Sequence, residues 1–206
     1  EERARAVEMD TVIGLSRDSQ CILTLYARPC KVQICLLLPR RSSSAVAAAL
    51  DMLEESIGKK LFRRLFGLIL TDNGCEFSDA EALERSVFRG SARAKAYYCD
   101  VRQSQQKGGC ERNHVELRKL IPKNRGISFD DLRGRDLAVV MSQLNSEPRP
   151  SLMNMSPIGM LKAADPEAAD ALASALGIEE IAYERLNLRV DAVNRDREER
   201  GEAPLV

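Results

Sequence analysis

Three runs rich in Val, Ile, Leu and Thr succeed one another early in the chain, 10–15 (DTVIGL), 21–27 (CILTLYA) and 31–39 (KVQICLLLP). Only the turn-like segments SRDSQ and RPC separate them, so three antiparallel strands in a meander are expected. The next two segments turn the meander into a mixed sheet. In SSSAVAAALDMLEESIG, Ser42 to Ser44 offer a helix N-cap, and Val46, Leu50, Leu53 and Ile57 share one helical face before Gly58. After this crossover helix the apolar run 66–70 (FGLIL) has the character of a strand covered on both faces. GKKLFRRLF (58–66) carries Leu61, Phe62, Leu65 and Phe66 as core residues, with its basic residues outside as a solvated helix end.

Further along, 79–91 is expected to be a short helix and loop, and 94–100 (AKAYYCD) another strand. VRQSQQKGG (101–109) is polar and glycine-containing and suits a loop. A helix over 110–122 (CERNHVELRKLIP) pairs Val115 with Leu120 and Leu117 with Ile121, and Pro122 ends it. One more helix spans about 130–145, broken by Pro148 and Pro150, and the Ala- and Glu-rich remainder suits two helices with a charged, partly ordered end. The expected organisation is therefore an α/β core over 1–150 and a helical, partly disordered extension over 151–206.

With 206 residues and 44% hydrophobic content the chain can bury a substantial core. No run of about 18 apolar residues occurs and the opening EERARAVEMD lacks the apolar stretch of a signal peptide, so no membrane role is expected. The six cysteines include no C-x-x-C pair and are expected to be reduced, small core residues, although Cys21, Cys30 and Cys35 are a conceivable metal set. Zero net charge conceals an uneven distribution: residues 85–123 hold ten Lys or Arg against three Asp or Glu, while 165–202 hold eleven acids against five bases.

Three acids stand out: Asp10 at the start of the first strand, Asp72 at the end of the buried run in ILTDNGCEF, and Glu111 in the first turn of the helix after the polar loop. In a mixed sheet a parallel neighbour that enters after a crossover brings its carboxyl end beside the central first strand, so Asp72 can approach Asp10, and a helix over the same edge can lower Glu111 toward both. The Asn73-Gly74 pair supplies a sharp turn that presents Asp72 at the strand tip. Carboxylates about 4 Å apart repel by roughly 4 kcal/mol per pair at an effective dielectric near 20, so a shared pocket needs a cation. All-oxygen ligands suit Mg²⁺ or Mn²⁺ rather than Zn²⁺.

VEMDTVIG, ILTDNGCEF and QKGGCERNH, in this order, with 61 residues between Asp10 and Asp72 and 38 between Asp72 and Glu111, resemble the catalytic core of the DDE transposases and retroviral integrases. The resemblance is greatest to the IS-thirty family of bacterial insertion-sequence transposases, and SFDDL, LNSEPRPSL and SPIGML look like that family as well. It covers about residues 5–162, with a fainter echo in LGIEEIAYERLNL. It implies an RNase H-like fold, a mixed five-stranded sheet flanked by helices, and a site with two Mg²⁺ or Mn²⁺ ions. Asp10 would bridge both ions, Asp72 would help hold one and Glu111 the other. Water attack would then nick the element's end, and attack by the freed 3′-hydroxyl would join it to target DNA.

Lys107, Gly108 and Gly109 match the third motif and are expected to bind DNA, as are Arg112, His114, Arg118 and Lys119 on the adjoining helix. For the helix residues an ordinary solvated face is the alternative, and for His114 a cap or packing role. The implied partners are transposon ends and target DNA, with a homo-oligomer in the active complex, in the bacterial cytoplasm at the nucleoid. Gln105 stands where the family commonly carries an aromatic residue, and the chain begins almost at the first acid, as a catalytic fragment or truncated copy would. Two other functions remain open: a non-catalytic DNA-binding or assembly module, and a nuclease of RNase H type acting on RNA:DNA hybrids.

Overall fold

The computed structural model describes residues 6–100 and 108–205. The meander forms as β1 (Val7–Ile13), β2 (Cys21–Ala27) and β3 (Val32–Leu38), each antiparallel to the next. β1 begins at Val7 rather than at residue 10, so Asp10 sits in mid-strand. The charge of Glu8 masked this start, but Glu8 is buried together with Ala6, Val7 and Met9.

Ser42 caps the crossover helix α1 (Ser43–Ile57), its Oγ accepting from the Ala45 amide at 3.2 Å. Gly58, at φ 80°, breaks the chain between α1 and a separate helix, α2 (Lys59–Phe66), which buries Leu61, Phe62 and Phe66 and leaves Arg63 and Arg64 outside. β4 (Leu68–Thr71) then lies parallel to β1 with Val7 opposite Ile69 and Glu8 opposite Leu70, and β5 (Lys95–Tyr98) lies parallel to β4. The strand order β3-β2-β1-β4-β5 puts β1 at the centre. Between the last two strands runs the short helix α3 (Ala80–Glu84).

Helix α4 (Gly108–Leu120) packs on β1 and β2, and α5 (Gly134–Ser146) packs beside β3. β3 is an edge strand, and α5 answers its outward backbone groups: Asn145 accepts from the Gln33 amide and donates to its carbonyl, both at 2.8 Å, while Met141 Sδ lies 3.2 Å from the Cys35 amide. A strand edge covered in this way cannot template further pairing. α6 (Pro157–Ala164), α7 (Pro166–Leu176) and α8 (Val190–Glu199) complete the described chain, and their Ile158, Leu161, Leu172 and Val193 join the same hydrophobic core as the sheet. Five of the six cysteines are buried and Cys75 is exposed.

Candidate active site

The parallel pairing of β1 with β4 builds the site. Its register pairs Val7 with Ile69 and Glu8 with Leu70, so β4, which leads into Asp72, runs alongside the strand that carries Asp10. The pairing is held there by Thr71, whose Oγ1 donates to the Met9 carbonyl at 3.2 Å. Asp10 Oδ1 accepts from the Thr11 amide at 2.8 Å, and Asp72 Oδ1 from the Gly74 amide at 2.9 Å. The second bond closes a local side-chain-to-backbone turn that fixes the Asp72 carboxylate at the strand tip. Gly74 is needed for a different reason from the one expected. Its φ is −60°, which any residue adopts, but a Cβ there would lie 2.7 Å from Glu76 Oε2 and 3.0 Å from Asp72 Oδ1.

That crowding comes from Glu76, which sequence reasoning left without a role. Its carboxylate is buried and its Oε1 accepts from Thr11 Oγ1 and from Arg41 Nε, each at 2.6 Å. One acid thus ties the residue after Asp10 to the turn after Asp72. Burial pushes its pKa up, but the hydrogen bonds from Arg41 and Thr11 outweigh it and hold the group below the ordinary glutamate range. A hint was present in CEF, because an acid between a turn and a core phenylalanine has little room to reach solvent.

Helix α4 is fastened over the Asp10 face of β1 and β2 by a second buried acid. Glu8 Oε2 accepts from the Cys110 amide at 2.6 Å, in the first turn of α4, and Glu8 Oε1 pairs with Arg28 Nε at 2.7 Å. This carboxylate satisfies a first-turn amide that has no partner within its own helix, and it complements the positive end of the helix. Gly109 permits the approach: a Cβ on it would lie 2.3 Å from the Tyr26 ring and 2.8 Å from Glu8 Oε1. Gly108 and Gly109, expected in a loop, are therefore the first residues of the helix.

One turn on, His114 Nε2 lies 2.9 Å from the hydroxyl of Thr24, the residue opposite Asp10 on β2, and Thr24 Oγ1 donates to the Asp10 carbonyl at 3.1 Å. With its single proton engaged there, the hydroxyl accepts from Nε2–H of the imidazole. Arg118 donates to the Ile13 carbonyl at 2.7 Å and stacks 5.4 Å from the Phe129 ring, so it locks α4 to the end of β1, and burial lowers its pKa. Lys119 is exposed and pairs with Glu116 at 2.6 Å, while Arg112 is exposed. Lys107 lies outside the described residues.

Glu111 is exposed on α4, one residue after Cys110 and one turn before His114. Among the described residues no group of three or more His, Cys, Asp and Glu side chains is close enough together to hold a metal ion. Asp10 lies within β1, Asp72 directly follows β4 on the neighbouring strand, and Glu111 stands in the first turn of α4; the three do not form such a group. Hard carboxylate oxygens such as those of Asp10 and Asp72 suit Mg²⁺ or Mn²⁺ chemically.

No protein-family profile and no curated protein matches the chain. Solved structures do. The chain is similar to the catalytic core domain of BIV integrase, with TM-score 0.55 and 16% identity over 79% of this chain and 97% of that one. It is similar to the HTLV-2 integrase catalytic core domain solved in complex with magnesium in a trimeric form, with TM-score 0.52 and 15% identity over 75% and 93% of the two chains. A chain of the simian T-cell lymphotropic virus intasome, solved in complex with a PP2A regulatory subunit, matches with TM-score 0.56 and 14% identity over 75% of this chain, which spans about half (52%) of that one. The fold is accordingly the mixed five-stranded, helix-flanked RNase H-like fold of integrase catalytic cores.

Proposed function

We propose that the chain is a DNA strand-transferase domain dependent on Mg²⁺ or Mn²⁺, of the kind found in IS-thirty transposases. The parallel pairing of β1 with β4 carries this reading, because it runs the strand that leads into Asp72 alongside the strand that carries Asp10, two acids far apart in sequence. Two divalent cations held by Asp10, Asp72 and Glu111 would activate the attacking oxygen and stabilise the leaving one. The magnesium in the HTLV-2 core supports the choice of ion. The chain's own groups supply the rest: the Gly74 amide orients Asp72, Glu76 braces the two strand ends, and Glu8 with Gly109 holds α4 over Asp10. Lys107, Arg112 and the exposed face of α4 would meet the DNA backbone.

The test is nicking of supercoiled plasmid and joining of a labelled oligonucleotide 3′ end in Mg²⁺ or Mn²⁺. Asp10→Asn and Asp72→Asn are each expected to lower both rates by at least about a hundredfold, a loss on the order of 3 kcal/mol of transition-state stabilisation, with thermal unfolding intact. Undiminished activity in Asp72→Asn would overturn the assignment. A second reading, a DNA-binding or assembly module that keeps the fold without the chemistry, draws on the exposed position of Glu111. It predicts DNA binding without nicking in either metal.

A further inference from the structure

Beside the first turn of α4, away from the strand tip, lies a cavity of about 160 Å³. Lys31, Arg112 and Arg149 line it together with Gly108, Gly109 and Tyr26, and among the described residues no acid does. Glu8, opposite Tyr26 on β1, is engaged by Arg28 and the Cys110 amide. Three cations and the positive end of a helix of 13 residues thus converge on one space, with Glu147, paired with Arg149 at 3.2 Å, as a counter-charge outside its wall.

Behind the cavity wall lies an unanswered donor. Arg149 Nε is buried and has no hydrogen-bond partner among the described residues, whereas Nη2 of the same side chain reaches the Leu144 carbonyl at 3.4 Å and Glu147 at 3.2 Å. Buried donors in native proteins are almost always satisfied, so Arg149 is a cavity-lining cation whose donors are not fully used within the protein. Lys31 is held in place from two sides: its backbone is left-handed, at φ 60°, and its Nζ donates to Ser151 Oγ.

We propose that this cavity seats a phosphate of the DNA backbone, gripped by Arg149 and Lys31, next to the site of phosphoryl transfer. The assignment rests on the reading of the protein as a DNA strand transferase. Position argues for DNA over a free anion. Tyr26 in the cavity wall pairs with Glu8, and Thr24, two residues back along the same face of β2, pairs with Asp10. The cavity and the aspartate are therefore offset by about 7 Å along the strands. This is within about one or two nucleotide steps of a DNA strand lying across α4.

The experiment uses the full chain with a short fluorescent duplex in a salt series, alongside thermal unfolding in inorganic phosphate. Lys31→Asn removes the charge and leaves a residue that tolerates left-handed backbone, and Arg149→Gln removes the orphan donor. Each is expected to weaken DNA binding about tenfold and to lower the slope of log affinity against log salt by about one. The double variant should lose less than the product of the two, because both grip one phosphate. Lys31→Asn keeps the test decisive should Arg149→Gln fail to fold.

Unchanged affinity and slope in both variants would overturn the proposal. So would a phosphate-induced rise in unfolding temperature that both variants abolish while DNA affinity stays the same, since the cavity would then serve a free anion. Failure of the catalytic reading looks different: a wild-type chain that does not nick, yet binds DNA through Lys31 and Arg149, refutes the chemistry and supports the pocket.

Discussion

Two buried glutamates govern the geometry around Asp10 and Asp72. Glu76 carries a depressed pKa, so its contribution to stability is present above the ordinary glutamate value of about 4.3 and is lost as pH falls through its lower folded value. Glu76→Gln is expected to cost about 1–3 kcal/mol at neutral pH, because Arg41 and Thr11 lose a charged acceptor, and to flatten the stability curve below about pH 4. Chemical denaturation at a series of pH values checks both effects, and an unaltered acid limb in the variant would show that Glu76 does not brace the strand ends. Glu8 is not recognisable in the sequence, where a buried acid looks like any surface acid and only its partners set it apart, and for Glu76 the one signal is its place between a turn and Phe77. Glu8 finds Arg28 and a helix amide, Glu76 finds Thr11 and Arg41, and all four lie in other elements. Asp72 was legible because strand, acid and turn are neighbours in the chain.

Among the elements, α4 depends most on a single backbone position. Gly109→Ala would drive a methyl group into the Tyr26 ring and toward Glu8 Oε1. The expected outcome is a loss of about 1–3 kcal/mol from overpacking, together with a fall in nicking rate larger than that of any exposed α4 substitution, because the first turn that carries Glu111 must lift. Thermal unfolding and plasmid nicking on the same preparation would measure the two together; full stability with full activity would refute the packing argument. The order of strands and helices was legible from periodicity, since hydrophobic patterns of two and of 3.6 residues are local. Element starts were less so. Glu8 hides the start of β1, and Gly108 and Gly109 suit a loop by sequence because glycine weakens a helix unless packing demands closeness, which local sequence does not reveal.

For the molecule as a whole, part of the uneven charge is taken up by internal pairing, so the count of bases in a stretch overstates what is free to meet DNA. Within the basic stretch, Arg93 is buried, with bonds to Asp51 and to the carbonyls of Leu83 and Ala82, Arg85 pairs with Asp51, and Arg118 holds Ile13. In the acidic part Arg197 of α8 reaches buried Asp136 at 2.7 Å, and Arg200 reaches its other oxygen at 2.9 Å. Arg197→Met should therefore lower stability by about 3 kcal/mol, toward the low end expected for a broken buried pair because Arg200 remains, and urea denaturation would register it. An unaffected midpoint would mean that α8 is not clasped to α5 through that pair. The central position of β1 has a temporal consequence as well. β2 and β3 can zip onto β1 as a local hairpin series, whereas β4 must wait for the whole α1–α2 crossover to close a long loop, a slow event in folding. β4, and with it Asp72, thus joins β1 late, and on the proposed function divalent ions would have no assembled cradle to nucleate around; they should slow unfolding of the finished protein and leave the early refolding phase untouched.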